Sequence, residues 1–327
     1  MAAQIPRHVL IVDDEPNIVS AVRRELIAAS NDNYRYEVDG FTDPIKALEC
    51  AQSQHFDVVI SDFRMPGMDG MEFLKEFSKI QPDCACIVLS GQTDMATLVK
   101  MVNVTHIYRF IPKPWHDYYL KGSVAQAIQF NSVLLENKRL ATVVRDLNIP
   151  IPDLMESDVD QILIVDDDQN ILGSMSRILT HHSRMDDLFL AIRSEIAQHR
   201  GPVLEESKIS VQVSTSPLHA LKMVDTVSYS CIVADYKMPD MNGIDLLQKF
   251  MDRQPDCTRI LVSGGISQDD LVYAMNSAHI FGFIDKPWQD FELKAMIAQA
   301  LTYRKMLIEN RRLAEMVRQA RKNAAEG

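Results

Sequence analysis

The sequence predicts an α/β protein of two doubly wound domains, each a five-stranded parallel sheet with helices on both faces. Three observations carry that expectation. The chain is 327 residues long, more than one domain usually holds. Its motifs occur twice. Within each copy, short apolar runs alternate with longer amphipathic stretches.

The repeat is direct. HVLIVDDE at His8 to Glu15 returns as QILIVDDD at Gln161 to Asp168, and VVISDFRMP at Val58 to Pro66 returns as CIVADYKMP at Cys231 to Pro239. Leu89-Ser90-Gly91 matches Val262-Ser263-Gly264, and FIPKPW at Phe110 to Trp115 matches FIDKPW at Phe283 to Trp288. Asp62 to Ser90 is 28 positions, as is Asp235 to Ser263; Ser90 to Lys113 is 23, as is Ser263 to Lys286. Only the first interval differs, with Asp14 to Asp62 spanning 48 positions and Asp167 to Asp235 spanning 68. The second copy therefore carries an insertion between its first helix and second strand. A period this long means duplicated domains rather than a solenoid.

In the first copy the apolar runs are Val9 to Val12, Val58 to Ile60, Ala85 to Leu89 and Ile107 to Ile111. Continuous runs of this kind belong to strands buried on both faces, as in a parallel sheet. Tyr34 to Val38 is less apolar and is expected at an edge. Helices are expected to start at Pro16, Pro44, Gly70, Thr93 and Trp115. Pro112 stands where the second copy has Asp285, so the last strand of the first copy is expected to end one residue early.

The boundaries read as a first domain over 1–122, an extended helix and linker over 123–160, and a second domain over 161–302. A terminal coiled-coil-like helix fills 303–327. The linker, Asn148 to Asp160, holds two prolines and four acids. The insertion, at about 186–209, is expected to carry an amphipathic helix through Leu188, Ile192, Ile196 and His199, stopped by Gly201-Pro202.

A net charge of -11 argues against nucleic-acid binding by the whole chain. No apolar run is long enough to span a membrane, and a cytoplasmic location follows by default. The five cysteines, Cys50, Cys84, Cys86, Cys231 and Cys257, form no CxxC pair and read as structural thiols.

Ligands of open α/β sheets bind outside the carboxyl ends of the strands. Asp13, Asp14, Asp62, Ser90 and Lys113 fall at such ends, as do Asp166, Asp167, Asp235, Ser263 and Lys286. Three carboxylates gathered there would repel one another unless neutralised. Mg2+ suits them, since it takes oxygen ligands and is often shared between carboxylates and a phosphate oxygen. The lysine adds positive charge and the serine a hydrogen-bond donor. Such a set suits a phosphoryl group carried on a carboxylate.

On these motifs both copies resemble the receiver domains of two-component response regulators, over nearly the whole chain. The resemblance implies a flavodoxin-like (βα)5 fold with the strand order 2-1-3-4-5 known from a chemotaxis receiver. It implies phosphoacceptors at Asp62 and Asp235, and Mg2+ held by Asp13 with Asp14 and by Asp166 with Asp167. The backbone carbonyls of Arg64 and Lys237 would complete the metal shells. Ser90, Ser263, Lys113 and Lys286 would contact the phosphoryl oxygens. Phe110 and Phe283 would stand at the switch position, and both Lys-Pro bonds would be cis. The donor would be a phosphohistidine on a sensor kinase or phosphotransfer protein.

The helix after each lysine outlasts what a receiver needs. Phe130, Val133, Asn137, Leu140, Val144 and Leu147 form a heptad seam, repeated by Tyr303, Met306, Asn310, Leu313, Val317 and Ala320. An asparagine at a core position specifies a parallel pair, and a homodimer is expected. The basic residues Arg311, Arg312, Arg318, Arg321 and Lys322 read as a solvated face.

The expected function is a phosphorylation-dependent response regulator, a phosphoacceptor rather than an enzyme acting on outside substrates. It would control a separate effector, or an output domain missing from the chain. The alternatives are an aspartate-dependent phosphatase and a phosphorylation-independent scaffold. A phosphatase would want an acid two residues after its nucleophile, where this chain has Arg64 and Lys237.

Overall fold

The computed structural model describes residues 5–30, 34–91, 107–115, 117–150, 159–180 and 208–326. The expected helix at Thr93 and the inserted helix through Leu188, Ile192, Ile196 and His199 lie outside the described residues, as do the side chains of Ser90 and Phe110. The described residues divide into two compact units, 5–135 and 136–326.

In the first unit the strands are β1 (Ile5–Val12), β2 (Tyr34–Phe41), β3 (Val58–Asp62), β4 (Ala85–Ser90) and β5 (Ile107–Pro112). They form one parallel sheet in the order β2-β1-β3-β4-β5. Helices α1 (Pro16–Ala28), α2 (Pro44–Ala51) and α3 (Gly70–Ile80) pack on it. Val9 to Val12 and all of β3 are buried, as strands covered on both faces must be. At the edge, β2 alternates: Tyr36 and Val38 are buried while Arg35 and Glu37 bond to each other outside.

The helix starts have local causes. Pro16 and Pro44 open α1 and α2, where a missing N–H is harmless. Asp43 and Asp69 cap α2 and α3 by accepting from the amides of Ile45 and Glu72. Phe73, Leu74 and Phe77 then turn the apolar face of α3 inward.

The strand β5 does not end early. It runs through Pro112, which pairs with Ser90, and so ends level with its counterpart at Asp285. The expectation failed because β5 is an edge strand, where a residue without an N–H is tolerated. The last helix of this copy, α4 (Asp117–Asp146), is described from Asp117, two residues beyond the expected start at Trp115.

The second unit repeats the plan. It holds β6 (Val159–Val165), α5 (Gln169–Thr180), β7 (Lys208–Ser214), α6 (Pro217–Met223), β8 (Cys231–Asp235), α7 (Gly243–Arg253), β9 (Thr258–Ser263), α8 (Gln268–Ser277), β10 (Gly282–Asp285) and α9 (Asp290–Glu326). Its sheet order is β10-β9-β8-β6-β7, the same arrangement with β7 at one edge and β10 at the other. Ser216, Asn242 and Ser267 cap α6, α7 and α8. Cys84, Cys86, Cys231 and Cys257 are buried thiols outside any disulfide, and burial pushes the Cys231 thiol up to about 12.

Each copy is also braced by a glutamine. Gln81 accepts from the Phe56 amide and donates to the carbonyls of Ala51 and Gln54. Gln254 does the same with Tyr229, Val224 and Val227.

Helix α4 stops at a left-handed residue, Asn148, with φ 49. The Asn148 amide bonds to the Arg145 carbonyl and the Ile149 amide to the Val144 carbonyl, which closes a Schellman motif. Ile149 then packs back on an apolar cluster of Leu140, Val144, Leu313 and Val317. The heptad seam is therefore shorter than the sequence predicts, and it is filled within the chain. Phe130 packs its ring at a tilt against Tyr108, and Tyr303 against Phe281, so these seam positions serve the receivers themselves. Leu147 is 49% exposed, since the helix has already ended there.

Candidate phosphoacceptor sites

Each site is assembled by strand ends. β1 delivers Asp13, β3 ends in Asp62, and Lys113 follows β5. Asp13 is 0% exposed and Asp62 5%. Lys113 Nζ lies 2.7 Å from Asp13 Oδ2 and 2.5 Å from Asp62 Oδ1, so one ammonium bridges two buried carboxylates. The other oxygens are also held: Asp13 Oδ1 accepts from the Glu15 amide at 3.0 Å and Asp62 Oδ2 from the Arg64 amide at 2.8 Å.

The second site is a near copy. Lys286 Nζ is 2.7 Å from Asp166 Oδ2 and 2.6 Å from Asp235 Oδ1. Asp166 Oδ1 accepts from the Asp168 amide at 2.9 Å, and Asp235 Oδ2 from the Lys237 amide at 2.9 Å. Ser263 is buried at the adjacent strand end, and its Oγ accepts from the Gly265 amide at 3.2 Å. The Lys286 amide bonds to the Ser263 carbonyl, which ties the lysine loop to that strand. Both Lys113-Pro114 and Lys286-Pro287 are cis. Phe283 is buried on β10.

Burial raises the pKa of Asp13 and Asp166, and the facing lysines oppose the rise. Burial also works against charge on Lys113 and Lys286, but their bonds to the two aspartates outweigh it and raise both lysines. The lysines are thus held charged in a place that disfavours isolated charge.

Asp14 and Asp167 are exposed and stand outside the lysine pairing. Among the described residues no three His, Cys, Asp or Glu side chains form a metal cage. The residues still fit Mg2+, which prefers one or two carboxylates with water and phosphate oxygens over an all-protein cage. Asp13 is a buried oxygen donor whose ionised form burial penalises, and a divalent cation would relieve that penalty.

Sequence reasoning missed one pair of residues that shape these sites. Gly70 begins α3 with its amide on the Phe63 carbonyl, and a Cβ there would collide with the backbone carbonyl of Asp62. Gly243 stands in the same relation to Tyr236 and Asp235. The signal was present: both glycines lie eight positions after the acidic residue.

A doubly wound sheet with a carboxylate–lysine cluster at the carboxyl rim defines a signalling receiver module. The chain belongs to the response regulator receiver domain family, whose model matches residues 9–125 and 193–298. It is 36% identical over 132 residues to the hydrogenase transcriptional regulatory protein HoxA of Cupriavidus necator, covering 40% of this chain and 26% of that protein. It is 28% identical over 122 residues to the transcriptional regulatory protein FixJ of Bradyrhizobium diazoefficiens, covering 37% of this chain and 57% of that protein. A receiver domain protein from Clostridium thermocellum aligns at 27% identity and a TM-score of 0.35, over 39% of this chain and 98% of that one. The chain thus spans about a quarter of the length of HoxA. No helix among the described residues is long and apolar enough to cross a membrane.

Proposed function

We propose that the protein is a cytoplasmic two-component response regulator that takes phosphoryl groups on Asp62 and Asp235. The observation that carries this reading is the lysine bridging two buried aspartates, found in both copies at matching distances. The donor is a phosphohistidine of a sensor kinase or phosphotransfer protein. A carboxylate oxygen of Asp62 or Asp235 attacks phosphorus, the N–P bond breaks, and the electron pair stays on the imidazole nitrogen. The product is an acyl phosphate on the aspartate.

In this reading Asp13, Asp14, Asp62 and the Arg64 carbonyl hold Mg2+ at the first site. Asp166, Asp167, Asp235 and the Lys237 carbonyl do so at the second. When bound, the ion neutralises charge on the transferring group. Lys113 and Lys286 turn from the carboxylates to the new phosphoryl oxygens, helped by Ser90 and Ser263. Phe110 and Phe283 report the change to the surface. Neither site turns over an outside substrate. Output passes to a separate effector or to an output domain beyond this chain, and a homodimer forms by the route argued below.

The test is labelling with a small phosphodonor and Mg2+, comparing Asp62→Asn, Asp235→Asn and the double variant. Each single variant should keep about half the label and the double variant none, if the sites act independently. Complete loss in either single variant would overturn the two-site reading.

A further inference from the structure

We propose that the ends of α4 and α9 form an exchangeable clasp, whose partner when opened is a second copy of this chain. The residues concerned all lie in the second compact unit. Leu140, Val144, Leu313 and Val317 close into one apolar cluster, each no more than 6% exposed. Asn137 Nδ2 donates to the Met306 carbonyl at 2.8 Å. Asn137 meets Met306 near the start of the paired stretch, and Val144 shares a cluster with Val317 toward its end. The two helices therefore run in the same direction.

The halves of the clasp are copies of each other. Leu140 corresponds to Leu313, Val144 to Val317, Ala141 to Ala314 and Asn137 to Asn310, each 173 positions apart. A face that accepts its counterpart within the chain accepts the same counterpart from another molecule. Parallel pairing of like residues is also the geometry of a two-fold dimer. The clasp is small, with four buried apolar side chains, and it is imperfect. Asn137 Oδ1 is buried without a hydrogen-bond partner among the described residues, which weakens the closed state. The closed form wins at low concentration because the second helix is tethered, which gives it a high effective concentration. Opening leaves two apolar faces that share the same Leu, Ala and Val positions, and a second copy covers both.

Exchange can be read by disulfide trapping in the full-length chain. Val144→Cys with Val317→Cys, oxidised at low micromolar concentration, should yield a crosslink within one chain. A crosslinked dimer as the main product would overturn the intrachain resting state. The two single variants, mixed at about a hundredfold higher concentration and warmed below their unfolding transition, should give a covalent dimer as added chains compete with the tether. No such dimer, beyond that of the unaltered chain with its own thiols, would overturn exchange. Sedimentation of the unaltered chain protects the test against a variant that fails to fold. It should show monomer at low concentration and a growing dimer fraction at high concentration. Dimer throughout, or monomer throughout, would sink the proposal.

Discussion

Gly70 opens its helix against the backbone carbonyl of Asp62, and no room for a methyl group remains between them. Alanine ordinarily improves a helix over glycine by up to about 1 kcal/mol. Here the sign should reverse. Gly70→Ala should destabilise the first receiver by roughly 1–3 kcal/mol through overpacking, and it should depress labelling at Asp62 while sparing Asp235. Gly243→Ala should do the converse. Urea unfolding, followed through Trp115 in one copy and Trp288 in the other, checks stability; site-resolved labelling checks the rest. A stabilised variant would show that the carbonyl moves aside.

The buried carboxylates predict a trade between stability and metal binding. Burial raises Asp13 and Asp166 above the ordinary 3.8. A carboxyl raised in the folded state supports the fold while protonated, and that support is lost as pH climbs from 3.8 through the raised value. The lysines act the other way, since their raised values keep their contribution intact at every pH below 10.5. The double variant Asp13→Asn/Asp166→Asn should therefore melt a few degrees higher than the native chain at neutral pH without Mg2+. The gap should open as pH rises from 3.8 and then stay flat to the alkaline range. Adding Mg2+ should raise the melting temperature of the native chain and leave the double variant unmoved. A lower melting temperature for the variant at neutral pH would show that the aspartate–lysine bonds outweigh burial.

What the sequence made legible follows from which forces are local. Strand ends could be read because the buried runs Val9 to Val12 and Val58 to Ile60 are apolar, so Asp13 and, just after Ser61, Asp62 stand out at their ends, while Lys113 after the edge strand β5 was placed by its repeated spacing from Ser90. Pro112 misled because proline ends a strand only when its missing N–H would face a neighbour, and strand order decides that. Gly70 looked like a helix start, and its real reason is a carbonyl returning from eight residues earlier. The seam of Leu140 and Val144 was visible as a heptad, but its partner was not. Identical residues at Leu313 and Val317 make pairing within and between chains look the same in sequence.

The repeated Gln-Pro-Asp-Cys at 81–84 and 254–257 was legible as text but not as structure. Gln81 satisfies one amide and two carbonyls in a loop that would otherwise bury them unpaired. Gln81→Leu should cost the first receiver roughly 2–4 kcal/mol, and Gln254→Leu the same in the second, since several polar groups lose their partner at once. The urea midpoint reported by the tryptophan of the altered copy should fall, and the other should hold. Unchanged midpoints would mean that water replaces the amide at no cost.

The orphaned oxygen of Asn137 makes the clasp adjustable. Asn137→Val places a β-branched apolar residue at a core heptad position, which favours a two-stranded pair. It removes the unpartnered Oδ1 along with the bond to the Met306 carbonyl. Helical carbonyls already accept from the amide one turn on, so losing that bond should matter less than burying an unsatisfied oxygen. The closed clasp should gain about 1 kcal/mol. Hydrogen exchange should then slow along the ends of α4 and α9, and mixed single-cysteine chains should crosslink several-fold less. Faster exchange in Asn137→Val would assign the asparagine a positive role in holding the closed form, with its bond to Met306 outweighing the cost of its buried oxygen.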